Sequence, residues 1–373
     1  MPSLYGGGDF SQGRPFLLPR ARYTLCWSMS LAAVLDTPIG LLDRARSWAL
    51  RRSMPWLRGA YVPLDRRVAL YGSVMCLVSF CLVALVPAWV IALGPIVLGI
   101  PHILSDIRYL VLRPGLHRRG VLLGSLLLSV GLASTGLGVR GALIGALVAA
   151  LCSRGSHLRR AVALAFGGVA LVLASRNTFL ADFVFLHAHN GIALLFFVLF
   201  RPRRTAWFLV PLGCALLGVG LIASGALDAS FFRVTPPRGF DVDTLSLQLS
   251  PSQDGTWAMR FALLYAFGQG VHYVVWLRLV PEEARGSGPR SYRQSLRALR
   301  ADLGSVLLLF ALLPALALLV YAVQDLAVAR MRYLQAAFFH GYLELPALAI
   351  LFVERRLGPS HKDPVQHGAH ASP

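Results

Sequence analysis

The sequence predicts an all-α, polytopic helical membrane protein with about ten transmembrane helices and N- and C-termini in the cytoplasm. Three observations predict it. The 373 residues are 56% hydrophobic and only 14% charged, well short of the about 25% charge a soluble surface needs. Apolar runs of spanning length recur along the chain. The arginines between these runs fall on alternate turns, which places them on one side.

The basic segment 1–67 holds ten arginines and reads as cytoplasmic or interfacial. Within it, residues 23–42 are apolar but include Asp36, Thr37 and Pro38, which suits an interfacial or re-entrant segment. A transmembrane domain follows over 68–356. A span takes roughly 20 apolar residues at 1.5 Å rise. The candidates are 68–88, 90–112, 120–138, 141–153, 161–175, 178–200, 206–224, 257–279, 303–323 and 329–353. The fourth and fifth are short. The outer loop 225–256 is acidic at Asp228, Asp241, Asp243 and Asp254, and its alternating stretch 244–249 reads as a short hairpin or lid. The tail 357–373 is rich in proline and histidine and reads as disordered.

Arginines cluster after the second, fourth, sixth, eighth and tenth spans: Arg113, Arg118 and Arg119; Arg154, Arg159 and Arg160; Arg201, Arg203 and Arg204; Arg285 to Arg300; Arg355 and Arg356. With ten spans all of these share the cytoplasmic side. Arg140, Arg176, Arg330 and Arg332 lie against this rule. A net charge of +19 would point to nucleic acid in a soluble protein. Here the charge sits in short loops, so the expected partners are the bilayer and its anionic lipids at the cytoplasmic face, with no nucleic acid. A single lysine among 36 basic residues suggests a high-GC bacterial genome, hence the inner membrane.

Ionisable groups inside spans are costly and mark function. His102, His187, His189, His272 and His340 all lie on even-numbered spans, which run from outside to inside. Counted from the outer ends, their depths differ by only roughly 9 Å. Imidazoles at one depth on four helices are what a buried metal site requires. Asp106 follows His102 by four residues, and Glu344 follows His340 by four, so each carboxylate shares a face with its histidine. Such carboxylates serve as ligands, as supports for the imidazole, or as bases. His187 and His189 point to nearly opposite faces, so one of the two joins the site, and His187 is favoured. Gln269 lies one turn before His272 and is placed to hydrogen-bond within the site. Pro101 and Pro346 free a backbone carbonyl each and bend their helices.

The stretch Val97-Leu-Gly-Ile-Pro101-His102-Ile-Leu-Ser-Asp106 resembles the first histidine motif of the Brp/Blh family of bacterial membrane carotene dioxygenases, with Ile103 in place of a glycine. That resemblance implies an iron-dependent oxygenase acting on a lipophilic polyene, with His102 as an iron ligand and Asp106 as its partner. The stretch His340-Gly-Tyr-Leu-Glu344-Leu-Pro346-Ala347 is similar to the HGxxELPA motif of SpoIIM-like membrane proteins, whose size and pattern the rest of the chain does not follow.

The functional expectation is a membrane-embedded oxidoreductase. In it Fe(II), or alternatively Zn, is held by histidines, with Asp106 and Glu344 in catalytic support. The substrate is a lipid, carotenoid or isoprenoid arriving through the bilayer. Two rivals remain: a haem b electron-transfer protein, with two of the histidines as axial ligands, and a proton- or ion-coupled transporter using the same ionisable groups.

Overall fold

The computed structural model describes residues 26–52, 54–200, 205–251, 254–283 and 291–355. The terminal segment 1–25, the tail 357–373 and the loop arginines Arg201, Arg203, Arg204, Arg285 and Arg290 lie outside the described residues. Among the described residues every regular element is helical. In chain order the main helices are α1 (Cys26–Arg52), α2 (Leu64–Leu85), α3 (Pro87–Asp106), α4 (Gly120–Leu132), α5 (Val139–Cys152), α6 (His157–Arg176), α7 (Thr178–Phe200), α8 (Leu209–Ala223), α9 (Val242–Leu249), α10 (Gly255–Val274), α11 (Tyr292–Gln324), α12 (Leu326–Ala337) and α13 (Phe339–Glu354).

Among the described residues, eight helical segments are long and apolar enough to cross a membrane: 64–85, 87–112, 120–137, 157–176, 178–198, 206–223, 292–324 and 326–354. Two expected spans fall outside that set for different reasons. Helix α5 is apolar but short. Helix α10 carries Arg260, Gln269 and His272, and its side chains are largely buried among neighbours rather than presented outward. Helix α1 runs through Pro38 and the 26–42 part of the segment expected to be interfacial. Its Asp43 carboxylate accepts from the backbone N–H groups of Tyr292 and Arg293, so α1 caps the start of α11.

The expected hairpin at 244–249 is a helix instead. Asp241 caps α9 by accepting from the Thr244 N–H at 2.9 Å and from the Thr244 hydroxyl. That cap, together with the i,i+4 pair Leu245 and Leu249 buried on one face, outweighs the alternation of the side chains.

Within a bilayer, apolar surface gains little by leaving lipid, so close backbone approach and polar ties hold helices together. Gly141 and Gly145, four apart on α5, lie against Ser129, Leu132 and Ala133 of α4, and a Cβ at either would overlap that helix. Two of the carbonyls that prolines free inside α3 and α13 are claimed by another helix. Pro95 leaves the Ile91 carbonyl to Arg330 Nε at 3.1 Å. Pro346 leaves the Tyr342 carbonyl to the Ser129 hydroxyl at 2.7 Å. Ion pairs tie the loop ends: Arg119 grips Glu354 through two hydrogen bonds, and Arg108 and Arg113 share Asp302.

The result is two groups of helices. One gathers α2, α3 and α8 around α10, with α9 over its end. The other gathers α4, α5, α6 and α13. Helices α7 and α12 join them, and the histidines lie at the seam.

Candidate metal centre

Four helices each bring one imidazole to the seam: His102 on α3, His189 on α7, His272 on α10 and His340 on α13. Ring centroids are 4.7 Å apart for His102 and His340, 4.5 Å for His189 and His272, 4.9 Å for His189 and His340, and 5.2 Å for His102 and His272. His102 and His272 are 1% exposed. Candidate ligand atoms of His102, His272 and His340 all lie within 4.8 Å of one another, and so do those of His189, His272 and Glu344.

The local backbone serves this convergence. Helix α3 passes into a π-helical turn at Ile107–Leu112, just after His102 and Asp106. Helix α10 does the same at Val275–Leu279, just after His272. Such turns recur at functional sites because one extra residue re-aims the side chains around it. The span 326–354 is interrupted at Phe338, and the Ala337 carbonyl there accepts from His340 Nδ1. At Gly341 a Cβ would press on the His189 ring at 3.2 Å, so this glycine makes room for it.

Two of the rings are oriented from behind. A carbonyl can only accept, so His340 Nδ1 carries its proton and Nε2 is left as the lone-pair nitrogen. His189 Nδ1 donates to Glu344 Oε2 at 2.9 Å, which leaves its Nε2 in the same state. Glu344, fully buried, accepts a second hydrogen bond from Trp276 Nε1 at 3.1 Å. The two Nε2 atoms then face each other at 3.2 Å. Two acceptor nitrogens at that distance repel unless a cation lies between them. For bonds of about 2.1 Å, neighbouring ligand nitrogens around a tetrahedral ion sit about 3.4 Å apart. In addition, both ring nitrogens of His102 and of His272, and both carboxylate oxygens of Asp106, are buried with no hydrogen-bond partner. Buried polar groups left in this way are costly, and this donor set fits a bound transition metal.

The site differs from expectation in three respects. His189, rather than the favoured His187, joins the cluster. His187 Nε2 instead meets the Leu249 carbonyl at 3.0 Å, and its ring packs on Phe183, Phe261 and Tyr265. Residues two apart on a helix project about 200° apart, so both cannot reach one point. Glu344 lies behind His189 as its support. Asp106 is placed 3.9 Å from His102 Nε2, too far for a hydrogen bond. Gln269 bonds Tyr273 at 3.3 Å, and the Tyr273 ring lies 4.8 Å from that of His102. Trp276, four residues beyond His272, stands near the expected inner end of its span, which suits an aromatic belt, but it is fully buried instead.

The four histidines line a cavity of about 620 Å³. Exposed Phe179, Leu247 and Phe338 frame it, and Phe185, Leu186 and Leu334 line its wall. A volume of this size suits a small organic ligand.

No protein-family model matches this chain, and searches of curated proteins and of solved structures find no similar one.

Proposed function

We propose that this chain is a ten-span protein of a bacterial inner membrane, both termini cytoplasmic, holding a metal centre that oxidises a lipophilic substrate. Helices stand at all ten segments that the hydropathy and arginine pattern pick out, including the short α5 and the polar α10. The short α5 and the polar α10 are packed among others, where lipid contact is not demanded of them.

The reading rests on one observation: the acceptor nitrogens of His189 and His340 face each other at 3.2 Å beside the unpaired imidazoles of His102 and His272. Iron is the metal proposed, because four neutral imidazoles suit it and because of the resemblance around His102. When bound, iron with an open coordination position supplies oxygen activation. The protein's own part is positional. Glu344 and the Ala337 carbonyl fix two rings, Trp276 fixes Glu344, and the apolar wall keeps water from the reacting carbon. Asp106, whose oxygens are buried without a partner 3.9 Å from His102 Nε2, is proposed as the carboxylate that stands beside the centre to exchange a proton with bound substrate.

Axial haem ligation fits less well. Axial ligation sets two rings on one line with the macrocycle filling the plane between them, and here two further imidazoles crowd each pair, with centroids 4.5–6.2 Å apart. The test is metal analysis of detergent-purified protein, wild type beside His102→Ala and His340→Ala. Stoichiometric iron in the wild type and loss in both variants are expected. A wild type without stoichiometric metal overturns the proposal and leaves a proton- or ion-coupled site as the reading of the cluster.

A further inference from the structure

We infer that Arg330 receives the oxyanion head group, carboxylate or phosphate, of an amphiphilic substrate whose hydrocarbon chain runs down the cavity to the histidines. The inference rests on the proposed metal centre and narrows its substrate from lipophilic to anionic and amphiphilic.

Arg330, on α12, is 7% exposed and lines the same cavity as the four histidines. Its Nε donates to the Ile91 carbonyl that Pro95 sets free, and its guanidinium lies 5.7 Å from the centre of the Phe240 ring. These contacts fix the side chain but do not neutralise it. Among the described residues the other two buried arginines each meet a carboxylate: Arg67 meets Glu282 and Arg108 meets Asp302. Among the described residues no carboxylate pairs with Arg330. A buried cation without a counter-ion is costly in a membrane-embedded site, and an anionic ligand removes that cost.

The surroundings fit an oxyanion. With Nε engaged by Ile91, the two terminal nitrogens form the edge that grips a carboxylate or phosphate through two hydrogen bonds. Tyr333, one turn further along α12, also has a buried hydroxyl with no hydrogen-bond partner, but its side chain carries that hydroxyl toward the histidine level and away from the head group. Its ring rests on Gly99, where any Cβ would overlap it.

Distance completes the argument. Arg330 precedes His340 by ten residues and Ile91 precedes His102 by eleven, so on both helices the head-group level lies about 15 Å from the histidine level. The wall between is apolar, with Leu334 and Ala337 on one side and Phe185 and Leu186 on the other. A substrate anchored at Arg330 therefore presents to the metal a carbon on the order of ten chain atoms away, and not the atoms beside its head group.

The test uses purified full-length protein in non-ionic detergent and four probes: palmitic acid, hexadecyl phosphate, methyl palmitate and hexadecanol. Binding is read by titration calorimetry, and metal content is measured on the same samples. Wild type is expected to bind at least one of the two anions about tenfold or more tighter than the ester and the alcohol. The better anion identifies the head group. Arg330→Gln is expected to abolish that preference with metal content unchanged. Arg330→Lys, which keeps the charge but loses the two-bond grip, is expected to retain part of the preference and guards against misfolding of the first variant. Binding of neither anion more tightly than the ester and the alcohol by wild type, or a preference that survives Arg330→Gln, overturns the inference. Missing metal in a wild type that still prefers anions counts against the metal centre and leaves the anion site standing.

Discussion

His189 Nε2 and His340 Nε2 lie 3.2 Å apart, and each ring has its other nitrogen already engaged, one by Glu344 and one by the Ala337 carbonyl. The pair comes from helices α7 and α13, more than a hundred residues apart in sequence. Its geometry separates the two histidines of α7. His189→Ala is expected to lose bound metal. His187→Ala, which removes only the bond to the Leu249 carbonyl and some aromatic packing, is expected to keep it. Plasma-emission metal analysis of the two variants side by side checks this, and the opposite pattern would put the site on the other face of α7.

Glu344 makes a graded prediction. It supports His189 without facing the gap between the rings, so its replacement weakens the site instead of deleting it. Glu344→Gln keeps an acceptor for Trp276 but loses the charge that makes His189 more basic. Supports of this kind carry about 10- to 100-fold in metal affinity. A chelator competition titration is expected to show a loss of that order for Glu344→Gln and a smaller one for Trp276→Phe. Unchanged affinity in both would mean that the chain Trp276–Glu344–His189 does not orient a ligand.

Much of this was legible in the sequence, and the failures are physical. Depth follows from counting residues along a span, so His102, His272 and His340 could be assigned to one layer without a structure. Rotation about the helix axis does not follow from counting. Helix α7 has a polar pair on each of two faces, Asp182 with His189 and His187 with Asn190, so no single polar stripe says which face is inward. Arg330 is the sharper case. It reads as an exception to the arginine pattern of the loops, yet it is buried in the cavity. Its burial depends on a carbonyl freed by Pro95 and on Phe240 from a distant loop, contacts that no local pattern announces. The alternating stretch in 244–249 misled because the cap at Asp241 lies just before it.

That cap gives a pH prediction. The Thr244 N–H, with the Thr244 hydroxyl beside it, holds the Asp241 carboxyl below its ordinary value. A lowered native pKa contributes stability above the unfolded pKa, and the contribution fades as pH falls through the native one. Helix α9 also borders the cavity, where Leu247, Leu249 and Ser250 line it. Hydrogen exchange at the α9 amides is therefore expected to speed up as pH drops below the usual carboxylate range. Asp241→Asn keeps the cap without the titration, so its exchange is expected to follow only the intrinsic pH dependence of amides. A variant profile that parallels the wild type would show that another group governs α9.

The last prediction concerns a pair that the loop pattern assigns to topology and the structure assigns to packing. Arg67 stands at the first turn of α2, and its Nε meets Glu282 Oε1 at 2.6 Å with both side chains buried. The same guanidinium holds the carbonyls of Tyr61 and Val62, and Arg278 approaches Glu282 at 3.4 Å. The foot of α2, the turn before it and the end of the α10 segment are thereby fastened at one point. Removing one partner strands a buried charge, which costs about 3–5 kcal/mol, whereas replacing both with apolar groups of similar volume is often close to neutral. Arg67→Met is therefore expected to lower the thermal midpoint in detergent strongly. Arg67→Met combined with Glu282→Met is expected to regain much of that loss, less the part owed to the two carbonyls and to Arg278. A double variant no more stable than the single one would show that the carbonyl bonds, and not the ion pair, fasten the foot of α2.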